Sequence, residues 1–493
     1  MSHSVLYIPS VFNRPENEKS EKPLLGFVKS DFTWPLLFML SMALVGLRFY
    51  PAFLFALAII LKRFREDRYD FVIMLMMLFG NFGLMRADIL HIKMQDIALV
   101  SGTVLAVIMR KPPLLRKMLC IYAVYAVILF WIALQSWESM RVQLVVLRYY
   151  YSFIVVFVPI AAFANRSFDM NRMIRRLMVF GLTMCCFYIF DALIVKGHIL
   201  LPGTFSWSGQ STFWHPVMSP FSIKPLRVYP YGMYILMLVI VAAIRTYRLP
   251  KWQWALIIVA SLSTQTMTFC AGFGVMLILC QGSFRRTFKI LGSIALGLVL
   301  LYGVDCLLPK YQNDVGETSS LRLKSTVDQF FMLAEAADDE EIADFGSGRM
   351  GQFIPKLDLV QHYHKEWTGL GFLHRDLSTD VRFTIVNEYY VDLANNEEVA
   401  TGVEVVPFQI FISAGWLGLI VHAAFFIGLY LLIRRYRYSY IYLSMLIFCA
   451  VAGLGGFASL ANYEGQALMA FAFALVILAN RPQIPGFSHR DAA

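Results

Sequence analysis

The sequence predicts an all-α polytopic integral membrane protein of about 14 transmembrane helices with one large loop outside the membrane, and three observations predict it. Apolar residues make up 58% of the chain against 15% charged, with a mean hydropathy of +0.60, well beyond the apolar share of soluble domains. Apolar runs long enough to cross hydrocarbon recur along the chain. The basic residues between those runs cluster at alternate connections.

Taken in order, residues 1–32 are polar and proline-bearing, with no apolar stretch followed by a small-residue cleavage site, so a cytoplasmic tail without a removable signal peptide is expected. Spans are expected near 33–48, 51–62, 69–87, 95–110, 117–134, 143–163, 175–195, 229–245, 252–266, 268–282, 287–307, 407–433, 438–457 and 465–480. Two pairs are short. Trp34 to Lys62 breaks at Pro51, and Trp252 to Cys280 breaks near Thr264–Gln265–Thr266, so each pair is open to being one long or re-entrant span. The resulting organisation is N-terminal helices over 33–195, a first outer loop at 196–228, central helices over 229–307, a large outer loop at 308–406, C-terminal helices over 407–480 and a tail at 481–493.

Orientation follows from the basic clusters. Lys62–Arg63 with Arg65, Arg110–Lys111 with Arg116–Lys117, Arg172 with Arg175–Arg176, Arg285–Arg286 and Arg434–Arg435 fall on one side, which is expected to be cytoplasmic together with both termini. The loop at 308–406 carries eighteen acidic and eight basic residues, as an external segment should. The net charge of +10 is therefore assigned to membrane orientation and not to nucleic acid. All seven cysteines lie in or beside apolar runs, which argues against a disulfide framework or thiolate metal site. The sequence has no Asp-x-Asp pair, P-loop or His/Cys ligand set, so nucleotide-sugar chemistry with a divalent metal and ATP hydrolysis are not expected, nor is any cofactor.

In the large loop, Leu321–Ala337 and Gly351–His364 have helical apolar spacing, which predicts amphipathic helices lying on the bilayer. Three arginines near the outer face are candidate anion-binding groups. Arg148 sits inside an apolar run, where an ionisable side chain faces a cavity or a partner such as Asp191. Arg227 stands in Pro225–Leu226–Arg227–Val228, where an interfacial anchor is the competing role, with Lys224 beside it. Arg349 follows a Gly-Ser-Gly turn and precedes an amphipathic segment, where a guanidinium and free backbone N–H groups together hold anions.

Residues 200–480 resemble the O-antigen ligase/polymerase superfamily, the Wzy-type polymerases and WaaL-type ligases. The likeness rests on an external arginine before a span (Arg227), a Ser/Thr-rich pair of short helices (Leu262–Leu279), Ser347–Gly348–Arg349 leading to Gly369–Leu370–Gly371–Phe372, and Gly415 and Gly418 at the start of the next span. Counting back from those glycines, Glu404 and Val405 occupy the places of the family's His-Asn pair, which is a departure. The resemblance implies a GT-C-like fold in the bacterial inner membrane and metal-independent glycosyl transfer from an undecaprenyl-pyrophosphate-linked glycan at the periplasmic face. Arg349, Arg227 and Arg148 would then hold the pyrophosphate and Glu404 would serve as base; Lys224, His362, His364 and His374 are further substrate-binding candidates. A chain-length regulator and a flippase are the implied partners, besides the bilayer. Glu404 in place of the ligase histidine favours a polymerase, with a ligase acting on a lipid A-core or protein acceptor as the alternative, and a flippase of the same lipid-linked glycan as a third reading.

Overall fold

A computed structural model of the chain describes residues 29–46, 49–79, 94–136, 139–190, 206–207, 227–228, 233–244, 246–247, 249–263, 267–280, 292, 311–312, 318–319, 357, 360–372, 405–453 and 460–484. Those residues are mainly helical, with connecting turns and two antiparallel ladders of two residues per strand, β1 (Ser206–Trp207) with β2 (Arg227–Val228), and β3 (Tyr311–Gln312) with β4 (Thr318–Ser319). The helices are α1 (Thr33–Gly46), α2 (Pro51–Glu66), α3 (Arg68–Phe79), α4 (Met94–Ile108), α5 (Pro113–Leu134), α6 (Met140–Tyr150), α7 (Phe157–Ala162), α8 (Met170–Phe190), α9 (Met233–Ile244), α10 (Lys251–Ser263), α11 (Met267–Cys280), α12 (Val406–Ile433), α13 (Ser439–Gly453) and α14 (Tyr463–Ala479).

Among the described residues α5, α8 and α12 are long and apolar enough to cross a membrane, and α6 with the segment Ser152–Ala162, bent by 40°, passes the same test if the pair is counted as one span. Burial separates these helices by role. Of the apolar window of α8 78% is buried, against 28% for α5 and 33% for α12, so α8 is interior while the other two turn apolar side chains outward. Rows of exposed Val, Leu and Ile on α4, α5 and α12 suit lipid and would be costly in water. At the centre stands α14, buried along its length from Tyr463 to Leu478. Its C-terminus is fastened by Asn480, whose amide accepts from the Arg437 N–H at 3.0 Å and donates to the Arg437 carbonyl at 2.7 Å.

The expected single span at 143–163 is interrupted at Tyr151–Ser152. Ser152 donates its hydroxyl back to the Arg148 carbonyl at 2.9 Å, a bond that competes with the helical ladder and bends it, and a 3-10 turn carries the chain to α7. The short pair at 34–62 is a hairpin of α1 and α2 whose two open ends meet one ion network. Asp31, just before α1, pairs with Arg175 at 2.7 Å and Arg176 at 3.1 Å. Arg63, near the end of α2, pairs with Asp70 of α3 at 2.8 Å, and Asp70, fully buried, also takes Arg176 at 2.5 Å. Four arginines of the basic clusters (Arg63, Arg172, Arg175 and Arg176) therefore have carboxylate partners, Asp67 serving Arg172. The break in the pair 252–282, at residues 264–266, lies outside the described residues, as do the span at 287–307 and the amphipathic segment 321–337. Of the segment 351–364, the turn from Val360 to His364 is described.

Candidate functional site

The end of the bundle opposite this ion network is built around a strap, residues 360–372, that reaches α12 and enters its hydrogen-bond ladder. An α-helix bonds each N–H to the carbonyl four residues earlier. At Gly415, φ 63° and ψ −165° break that pattern. The carbonyls of Ile412 and Ser413 accept instead from the N–H groups of Leu370 (2.7 Å) and Gly371 (3.0 Å), and the N–H groups of Trp416 and Leu417 donate to the carbonyls of Glu366 (2.8 Å) and Trp367 (3.1 Å). Two missing helical rungs, 416 to 412 and 417 to 413, are thus replaced by four bonds to the strap, which pair those four backbone groups.

Glycine is required on both sides of this junction. Gly369 (φ 67°) and Gly415 (φ 63°) lie in the left-handed region, and a Cβ on either would strike the backbone of the other segment, at Ser413–Ala414 and at Trp367. The far edge of the strap is held by α6 and the end of α5. Gln143 accepts the Phe372 N–H at 2.7 Å and donates to Ser136 at 2.9 Å; Ser136 in turn donates to the Leu370 carbonyl at 3.1 Å. Lys365 Nζ donates to the Gln135 carbonyl at 3.2 Å.

Below the strap a line of rings leads into the bundle. Phe372 packs edge-on against Tyr150 (5.1 Å), Tyr150 against His422 (5.9 Å), and the Tyr125 hydroxyl meets His422 Nδ1 at 3.0 Å. His422 is buried midway along α12, with the Leu460 carbonyl facing its ring. That carbonyl accepts Gln466 Nε2 at 2.7 Å. His422 Nε2, Gln466 Oε1 and the Tyr463 hydroxyl, all buried, find no hydrogen-bond partner among the described residues.

Of the residues singled out from sequence, Arg148 is half-buried on α6. Its Nη1 donates to both oxygens of Asp96 at 3.0 Å and Nη2 to the Tyr149 hydroxyl at 3.2 Å, while Nε has no partner among the described residues. Its carboxylate partner is Asp96, in the first turn of α4, and not Asp191, which lies outside the described residues. His362 and His364 are exposed on the first turn of the strap, His364 with φ 54°. Arg227 is described in its backbone, in register with Trp207 across β1–β2. Lys224, Arg349, His374 and Glu404 lie outside the described residues, Glu404 directly before Val405, where the structure resumes.

No family model matches the chain, and no curated protein does.

Sequence reasoning passed over Asp96, Gln143, His422 and Gln466. The signal for the last two was available, since a histidine in the apolar 28-residue α12 and a glutamine in α14 are polar groups within spans and therefore functional candidates. Chemically, the site offers a cation (Arg148) partly balanced by a carboxylate, a set of uncharged hydrogen-bonding groups around His422, and a rigid mount for the chain on either side of residues 373–404. Among the described residues no three His, Cys, Asp or Glu side chains gather as a metal site.

Proposed function

We propose that this protein is a metal-independent membrane glycosyltransferase, a polysaccharide polymerase that transfers an undecaprenyl-pyrophosphate-linked glycan to the sugar hydroxyl of another lipid-linked repeat unit. In this reading the chain crosses the bacterial inner membrane about 14 times in a GT-C-like arrangement. Both termini are cytoplasmic and loop 308–406 is periplasmic, carrying acceptor and donor together. The anomeric carbon leaves its bond to the pyrophosphate oxygen and bonds to the acceptor oxygen, the acceptor proton passes to Glu404, and the pyrophosphate keeps the bonding electrons. Arg349, Arg227 and Arg148 stabilise the charge that develops there; Lys224, His362, His364 and His374 contact the sugars.

One observation carries the reading. Gly369–Leu370–Gly371–Phe372 and Gly415–Trp416–Leu417–Gly418, which the resemblance picks out separately, are bonded to each other through backbone groups. Two motif elements that interlock support a common origin for the pattern more than either does alone. Phe372 and Val405, which flank residues 373–404, are both fixed at this end of the bundle.

A second reading, movement of the lipid-linked glycan across the membrane, draws support from the unpartnered buried atoms of His422, Gln466 and Tyr463, because polar groups at that depth commonly line pathways. Purified protein with a labelled lipid-linked repeat in proteoliposomes separates the two. Lengthened product that disappears in Arg349→Ala and Glu404→Ala, with membrane insertion intact, supports the polymerase. Label that crosses the bilayer without growing supports transport. Normal long-chain polymer from both variants removes those residues from the mechanism.

A further inference from the structure

The outward faces of α5 and α12 fix where the bilayer ends. On α12 an exposed apolar stripe runs through Ile420, Ile427 and Leu431, with Trp416 at one end and exposed Arg434 just beyond the other. From Trp416 to Arg434 is about 27 Å at ~1.5 Å per residue, close to the hydrocarbon thickness of about 30 Å. On α5 the stripe Val124, Val127, Trp131 and Leu134 starts after exposed Arg116 and Lys117. It covers about 26 Å from Lys117 to Leu134.

The two estimates agree in height. Tyr125 stacks on Phe425 at 4.2 Å, and from that shared level Leu134 and Trp416 lie equally far along their antiparallel helices. Both end at the strap, through the Trp416 N–H on Glu366 and the Lys365 ammonium on Gln135. Trp367, 66% exposed, stands there beside Trp416, 51% exposed, and tryptophan is the residue enriched at the boundary between hydrocarbon and headgroups.

We propose that the strap Val360–Phe372 lies in the headgroup layer of the bilayer, with Trp367 and Trp416 as its lipid-facing anchors. The lipid surface is its partner, and the break in α12 at Gly415 marks the water–hydrocarbon boundary. His422 then sits roughly 9 Å below that boundary and Ile427 near the midplane. This placement depends on the apolar stripes alone and holds whether the protein transfers or transports.

The test is depth measurement on the full chain with its seven native cysteines replaced, reconstituted in nanodiscs of phosphatidylethanolamine and phosphatidylglycerol. Spin labels at Trp367→Cys, Trp416→Cys and Ile427→Cys are compared for collision with oxygen, which concentrates in hydrocarbon, and with a water-soluble nickel chelate. The expected ratio of oxygen to nickel collisions is severalfold higher at 427 than at 367 and 416, and both of these exceed a free label in buffer. A label at 367 as nickel-accessible as the free label overturns the proposal, as does one as oxygen-rich as 427. So does one shielded from both, which would mean that protein covers the strap. If the cysteine-free chain does not fold, benzoylphenylalanine at 367 in the native chain takes its place. Light-driven crosslinks to phospholipid support the placement, and crosslinks confined to the protein's own loop refute it.

Discussion

The two ends of the bundle are held by different physics. At one end Asp31, Asp70, Arg63 and Arg176 join α1, α2, α3 and α8 through charged side chains, with Asp70 out of reach of water. At the other, the strap joins α5, α6 and α12 mainly through hydrogen bonds between neutral groups, most of them to the backbone, with the Lys365 ammonium the one charged donor among those described. A side-chain lock fails when one charge is removed, since the remaining partner is stranded in a medium that cannot solvate it. A backbone lock tolerates most side-chain changes and fails where a Cβ is introduced. The contrast teaches where each end is vulnerable, and substitutions at each test it.

The largest effect is expected from Asp70→Ala, which removes the one fully buried carboxylate between Arg63 and Arg176 and leaves them only the more exposed Glu66, Asp67 and Asp31. Unfolding in detergent followed by circular dichroism should show a loss of about 3–5 kcal/mol; stability equal to the parent would mean that water enters this end freely. Next comes Gly415→Ala, with its positive φ and a collision with the Trp367 backbone. About 2 kcal/mol of strain should release the strap, so the N–H groups of Leu370, Gly371, Trp416 and Leu417 exchange hydrogen roughly thirtyfold faster while α3 and α8 are unchanged. Gln143→Leu removes the bonds to Phe372 and Ser136 and should loosen the strap by about 1 kcal/mol, seen as faster exchange at the Phe372 N–H alone. The smallest effect belongs to Lys62→Ala. Its contact with Glu66 is 3.7 Å long and half exposed, so less than about 0.5 kcal/mol is expected, although it lies a residue away from the critical Arg63. An effect as large as that of Asp70→Ala would erase the distinction between buried and exposed charge on which the comparison stands.

How much of this was legible depended on whether a feature is local. Apolar runs report helices, because the requirement is on composition within one segment; the described helices overlap the expected segments, and three of them, or four counting the bent pair as one, are long and apolar enough to cross a membrane. The bend at Ser152 escaped, since a hydropathy window averages over the one hydroxyl that bonds back to Arg148. Arg148 was marked as needing a partner, but its partner on α4 is set by packing between helices, and Asp191 was merely nearer in sequence. The glycines at 369, 371 and 415 were noticed as a pattern; that they fit one another required coordinates, because the reason is a backbone contact between segments over forty residues apart. His422 and Gln466 are the reverse case, visible in single helices and passed over because the apolar average concealed them.

Because the strap bonds to the groups of two rungs that α12 lacks, loop 308–406 cannot be exchanged as a cassette. Trimming into residues 360–372 would leave carbonyls at Ile412 and Ser413 and amides at Trp416 and Leu417 without these partners. A graft has to keep residues 360–372 with the host helix, and a chimera joined instead at the ends of the loop would be expected to fail in assembly.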